Sequence, residues 1–275
     1  MGALIWLASY PKSGNTWLRS FLHNLLRNPS ESFDINRLSA FTLGESQTHW
    51  YTALDPTIAP AFELEDVRRL RPLVHRRMME SSPDSVFVKT HNALVIEAGL
   101  PLISQDMTAG AIYVIRDPRD VVISYSHHLG QSIDDTITLL ESEEAWTPGN
   151  EKTVYERLTS WSGHVHSWTH TPNPRLHVVR YEDMLNAPIK SFGGIADYLG
   201  LKPPRARLER AIKLSSFKVL QAQERRNGFV ERSRFTDAFF RKGESGQWKT
   251  VLTPEQVARI ETAHEVQMRR FRYLN

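Results

Sequence analysis

Four short stretches of the chain are almost wholly apolar: Leu4–Ala8, Val86–Lys89, Ala111–Ile115 and Leu176–Arg180. Runs this short and continuous predict strands covered on both faces, the pattern of a parallel sheet between two helical layers. Between them the apolar period becomes helical. Trp17, Leu18, Phe21, Leu22, Leu25 and Leu26 predict a helix that begins near Asn15. Further helices are expected at Asp120–Leu129, Val154–Trp168, Ile189–Leu199, Ala206–Leu214 and Pro254–Phe271. The last has a full start signal: Thr253 as N-cap, Pro254 at the first helical position, Glu255 and Gln256 in the first turn. The segment 29–83 carries prolines and aromatics, follows neither period, and reads as an insertion between core elements. Strands alternating with helices predict an α/β fold: a three-layer sandwich around a central, mainly parallel sheet, in one domain over residues 1–275.

Composition narrows the class. At 40% hydrophobic and 24% charged residues the chain is an ordinary globular one, which excludes disordered, collagenous and coiled-coil readings. It has no cysteine, so disulfides, iron–sulfur clusters, cysteine zinc sites and a thiol nucleophile are all excluded. The apolar run Ala3–Ala8 is too short for a membrane span or a signal peptide, and a soluble, cytoplasmic protein is expected. The net charge is only +3, but Arg225, Arg226, Arg232, Arg234, Arg241, Lys242 and Lys249 crowd one segment. Asp134, Asp135, Glu141, Glu143, Glu144 and Glu151 crowd another. A local basic loop in a nearly neutral protein points to a small anion rather than to a nucleic-acid track.

The first strand runs into Tyr10-Pro11-Lys12-Ser13-Gly14-Asn15-Thr16-Trp17 before the helix begins. A strand–loop–helix turn of this P-loop-like kind offers free N–H groups and the helix dipole to an anion, with Lys12, Ser13 and Thr16 as added donors. It is not a Walker A loop, because the G-x-x-x-x-G-K-[ST] spacing is absent and the lysine precedes the glycine.

At these residues the chain resembles the sulfotransferase family that uses 3′-phosphoadenosine-5′-phosphosulfate (PAPS). The family's loop reads Pro-Lys-Ser-Gly-Thr-Thr-Trp, and only Asn15 departs from it. Three more motifs follow in order: Lys89-Thr90-His91 after a strand, Arg116-Asp117-Pro118-Arg119-Asp120-Val121-Val122-Ile123-Ser124-Tyr125, and Arg241-Lys242-Gly243-Glu244-Ser245-Gly246-Gln247-Trp248-Lys249. They span the chain from Pro11 to Lys249. The resemblance implies a sulfotransferase that moves a sulfuryl group from PAPS to a small-molecule hydroxyl or amine and releases 3′,5′-ADP (PAP), with no metal required. Lys12, Ser13, Gly14, Asn15, Thr16 and Trp17 would hold the 5′ end. Arg116, Ser124, Arg241, Lys242 and Gly243 would hold the 3′-phosphate, with the loop around 225–249 closing over the nucleotide. Trp17 and Phe217, with Tyr181 and Ser215, would receive the adenine. His91 would be the general base, and Lys12 and Lys89 would neutralise charge on the leaving nucleotide. Each role suits its residue: an arginine fork donates twice to a phosphate, and a neutral imidazole takes a proton near neutral pH.

Two departures bear on the acceptor. The chain opens almost on its first strand, so the resemblance implies that the N-terminal segment of cytosolic animal relatives is lacking. The acceptor pocket is then expected from an insertion around 29–85 with 92–105 and 129–151. The animal dimer motif appears only as Lys249-x-x-x-Thr253-Pro254-x-x-x-Ala258, which puts that dimer in doubt. His166 and His170, with His164 nearby, lack a third ligand, so a metal is not expected. His127 and His128 could border the acceptor cleft. A nucleotide kinase of related fold, or a nucleotide-binding module without turnover, are the competing readings.

Overall fold

The computed structural model describes residues 2–59 and 62–275. Five strands form the central sheet: β1 (Leu4–Ser9), β2 (Thr42–Gly44), β3 (Val86–Thr90), β4 (Thr108–Ile115) and β5 (Leu176–Arg180). Their order is β2-β3-β1-β4-β5, and every neighbouring pair is parallel. Leu4, Trp6 and Ala8 of β1 and Ala111, Tyr113 and Ile115 of β4 enter one core layer; Leu7, Ile112, Val114 and Val179 enter the other. Apolar side chains leave these strands on both faces, which is why the sequence shows unbroken runs and no alternation.

The longer helices are α1 (Asn15–Arg27), α2 (Leu64–Glu80), α3 (Pro118–Leu129), α4 (Ile133–Glu141), α5 (Trp161–Thr169), α6 (Pro188–Tyr198), α7 (Arg205–Leu214), α8 (Phe217–Asn227) and α9 (Pro254–Arg270). Residues of α2, α3, α4, α5 and α9 share the first core layer, and residues of α1, α6 and α7 the second. The three-layer α/β sandwich is therefore as expected. Helix α9 begins with a complete capping box between Thr253 and Gln256.

Two expectations are corrected. The segment 29–83 is no mere insertion: Thr42–Gly44 is an edge strand of the central sheet, and Leu64–Glu80 is a helix of 17 residues. Three residues are too few to show a strand period. The stripe Val67, Leu70, Val74 and Met78 lies hidden among arginines and around an internal Pro72. Pro60 and Ala61 of this segment lie outside the described residues. The helix expected at Val154–Trp168 starts only at Trp161, where Ser160 caps it by accepting from the Gly163 N–H at 2.8 Å. Val154, Tyr155 and Leu158 are buried from irregular backbone on either side of a two-residue strand, Glu156–Arg157, instead.

Candidate active site

The carboxyl ends of β1, β3 and β4 lie side by side, and the motifs read from the sequence leave the sheet there. This is the edge at which open α/β sheets bind ligands. From β1, residues 10–14 turn into α1 through two left-handed residues, Lys12 at φ 65° and Gly14 at φ 110°. A Cβ on Gly14 would approach Tyr181 Cδ2 to 2.8 Å, so both the dihedral and the ring require glycine. No side chain caps α1. Its first N–H groups are left to whatever the loop encloses. Ser13 Oγ is buried without a partner, and Thr16 is buried in the first turn. Asn15 turns inward, donating from Nδ2 to the Leu7 carbonyl at 2.8 Å and to Ser9 Oγ at 3.3 Å. The amide nitrogen fastens the loop to β1, while Oδ1 is buried without a partner.

Three cations converge on this loop. Arg116, at the end of β4, donates to the Lys12 carbonyl at 3.1 Å and to the Glu244 carbonyl at 3.0 Å, and lies 4.2 Å from the Tyr181 ring centre. Its Nε is buried without a partner. Arg241 is held by Gln247 Oε1 at 3.0 Å. Burial, and then the like charge of Arg116, pull Arg241 below the usual guanidinium range. Burial and Arg116 likewise bring the Lys12 ammonium down to about 7, against the opposing pull of Glu231 and Glu224. Cations set together in this way form a site for an anion. Ser124, two turns into α3, is half-buried and makes no hydrogen bond with Arg116. Lys242 is exposed beside them.

The flat surfaces also meet. Trp17 packs edge-on to Tyr181 at 5.6 Å and, with Phe217, covers a small core of Ile35, Leu38, Leu220, Phe229 and Phe240. A Cβ on Gly243 (φ 68°) would lie 2.2 Å from the Phe217 ring, so this glycine lets the 241–247 loop lie on that ring. Ser215 is different. It is fully buried and its hydroxyl donates to the Ala211 carbonyl at 2.8 Å, closing α7.

His91 follows β3. Its Nδ1 lies 2.7 Å from the Ser9 carbonyl, which can only accept, so Nδ1 carries the proton and Nε2 keeps a lone pair. Its backbone is clamped on both sides: the N–H donates to Glu156 Oε1 at 2.8 Å, and the carbonyl accepts from His164 Nε2 at 3.0 Å. Burial, then the nearby Lys89 ammonium, holds the imidazole well below its ordinary range. Lys89 Nζ stands 3.9 Å from Glu156 Oε2. His128 is half-buried with Nδ1 unpartnered, and burial followed by Lys12 and Lys89 lowers it to about 4; His127 is exposed.

Several participants were not legible in the sequence. Phe239 lies 3.7 Å from Lys12 Nζ, ring centre to atom. Glu231 of the 228–240 loop pairs with buried Arg19 of α1 at 2.7 Å. Glu224 accepts the Phe239 and Phe240 N–H groups at 2.7 and 2.8 Å. Asp120 accepts from Gly246 N–H at 2.6 Å and Trp248 N–H at 3.1 Å, tying α3 to the C-terminal loop. Only Asp120 belongs to a motif; the others carry no pattern of their own.

A parallel sheet with a loop–helix turn at its carboxyl edge, converging cations and a neighbouring imidazole is the arrangement at which open α/β proteins bind anionic ligands. The chain belongs to the sulfotransferase family: the model described as "Sulfotransferase domain" matches residues 4–272. It is similar to flavonol 3-sulfotransferase of Flaveria bidentis, 27% identical over 94% of this chain and 79% of the relative. It is similar to sulfotransferase 1A1 of Canis lupus familiaris, 25% identical over 95% of this chain and 82% of the relative. Among solved structures, a retinol dehydratase in complex with androsterone and inactive cofactor PAP matches with a TM-score of 0.65 at 22% identity, covering 96% of this chain and 80% of that one. A mouse sulfotransferase complexed with PAP matches with a TM-score of 0.62 at 20% identity, covering 97% and 85%. Among the described residues no helix is long and apolar enough to cross a membrane.

Proposed function

We propose that the protein transfers a sulfuryl group from PAPS to a hydroxyl or amine of a small-molecule acceptor and releases PAP. The observation that carries this reading is the convergence of Lys12, Arg116 and Arg241 on the β1–α1 loop, next to an imidazole whose Nε2 is free to accept a proton. The residues fit the donor, because Ser13 Oγ, Arg116 Nε and Trp17 Nε1 are buried polar atoms without partners around that loop. The donor supplies an activated S–O bond to a phosphate. Lys12 and the loop N–H groups bind the 5′ end, Arg116, Arg241 and Lys242 the 3′-phosphate, and Trp17, Tyr181 and Phe217 the adenine. His91 takes the acceptor proton at Nε2, while Lys12 and Lys89 offset the negative charge that develops on the departing phosphate oxygen. Asp120 and Glu224 hold the 228–247 segment over the site. We place this activity in one cytoplasmic domain, in keeping with an Arabidopsis thaliana relative named cytosolic sulfotransferase 16.

A labelled-donor assay over a panel of phenols, alcohols, sugars and amines tests the proposal, with label expected in an acceptor and PAP formed in equal amount. Titration calorimetry without Mg²⁺ separates it from a kinase: PAP is expected to bind far more tightly than ATP, and the reverse order would favour phosphoryl transfer. Arg116→Ala is expected to weaken PAP binding by about 1.5–3 kcal/mol, the value of a charged hydrogen bond, and to leave 5′-AMP binding nearly unchanged. Equal losses for both ligands would move Arg116 off the 3′-phosphate. Gly243→Ala forces a methyl group against the Phe217 ring and is expected to lower PAP affinity about tenfold, or about 1.4 kcal/mol; unchanged affinity would separate Phe217 from the nucleotide.

A further inference from the structure

Beneath His91 lies a polar cluster that the proposed chemistry does not use. Glu45, directly after β2, is fully buried, and so are Arg71 and His75 of α2. Glu45 Oε1 accepts from the Tyr51 hydroxyl at 2.7 Å and lies 3.1 Å from Arg71 Nε and 3.6 Å from His75 Nε2. Arg71 donates to the Tyr155 carbonyl at 2.8 Å, and His75 Nδ1 meets Ser104 Oγ at 2.8 Å.

We infer that Glu45 is a positioning residue for His91, acting through the side chain of Asn92. The contacts fall on both sides of His91 along the chain. The Glu45 N–H donates to the Lys89 carbonyl at 3.0 Å, and Glu45 Oε2 accepts from Asn92 Nδ2 at 2.7 Å. Asn92 Oδ1 accepts from the Arg157 N–H at 2.8 Å, next to Glu156, which holds the His91 N–H. The Asn92 carbonyl accepts from Trp168 Nε1 at 3.1 Å. Glu45 thus holds Lys89 through its backbone N–H and Asn92, the residue after His91, through its carboxylate, and the Asn92 amide passes that grip to the segment that anchors His91 itself.

Taking a carboxylate and a guanidinium out of water costs several kcal/mol per ion, and a well-packed apolar set of equal volume is often neutral or more stable. Burial would push the Glu45 carboxyl up, but Arg71, then His75 and Tyr51, bring it to about 2, so the charge persists. A fixed charge that reaches the base through one amide holds it in place, and a misplacement of about 1 Å at a reacting group can cost about 10²-fold in rate.

This inference rests on reading His91 as the base, and its test separates the two. Histidine-selective ¹⁵N NMR of the full chain, with the His91 signals assigned by their loss in His91→Ala, reports the imidazole tautomer without any acceptor. The wild type is expected to show one Nδ1–H form. In Asn92→Ala, which leaves Glu45 with Arg71 and Tyr51, the two nitrogen signals are expected to converge as the Ser9 bond loosens. Glu45→Gln is expected to do the same where it folds. Val74→Ala, buried in the same helix but outside the cluster, is expected to lower stability and leave the His91 signals in place. With an acceptor in hand, Asn92→Ala is expected to lower kcat about tenfold or more and to keep KM within about threefold. Unchanged His91 signals in Asn92→Ala would overturn the inference. Shifted signals together with a His91→Ala enzyme of full rate would keep the positioning role and remove the base.

Discussion

His91→Ala is expected to lower turnover by about 10²–10⁴, the usual contribution of a positioned general base, with PAP affinity within a few-fold of the wild type. The clamp on its backbone by Glu156 and His164 carries the motivation, together with the Ser9 carbonyl that leaves Nε2 as the proton acceptor. The pH profile follows from the direction of the shift. Burial and then Lys89 hold the imidazole well below 6.5, so the base is neutral and competent throughout the neutral range. Protonation disables it only as pH falls through that lowered value. The acidic limb of kcat/KM should therefore lie below pH 6.5 in the wild type and vanish in the variant. A near-full rate in His91→Ala would pass the role elsewhere, with the unpartnered Nδ1 of His128 the next candidate.

Lys12→Met should separate rate from binding in the opposite sense to Arg116→Ala. Lys12 belongs to the loop expected to face the sulfuryl-bearing 5′ end, where negative charge grows only in the transition state. Loss of one such donor costs about 10²–10³ in kcat, and PAP affinity is expected to fall by far less. Equal losses in rate and affinity would sink the assignment. The same lysine predicts a proton effect. Burial and Arg116 bring its ammonium to about 7, so a good part of the population is neutral near pH 7.5. A phosphate beside it restores the charge. PAP binding should then take up a fraction of a proton, seen as a difference in calorimetric heat between two buffers of unlike ionisation enthalpy. The methionine variant should take up none.

Four of the motif residues were legible because they sit where a strand changes into a loop. Lys12 and Gly14 follow β1, His91 follows β3, and Arg116 follows β4, and these transitions show in the apolar period. The residues that hold them were not legible. Glu45 borders a three-residue strand, Glu156 lies in extended backbone where a helix was expected, and Glu231 pairs with an arginine 212 positions away. Ser215 shows the converse: it stands next to the adenine candidates in sequence, but its hydroxyl is engaged inside its own helix.

By itself the sequence determined the four longer strands buried on both faces, the helix that follows the first of them, the capped C-terminal helix and the family, since all are carried by local period and contiguous motifs. The tertiary structure alone decided which charges meet. Parallel pairing of β1 with β3 and β4 sets Lys12, His91 and Arg116 at one edge, although 104 positions separate the first from the last. Packing of the 228–247 segment against α1 and α3 brings Glu231 to Arg19 and Asp120 to Gly246. The physical reason is that a buried ion pair or hydrogen bond depends on where distant backbone segments cross, and no periodicity along the chain records that crossing.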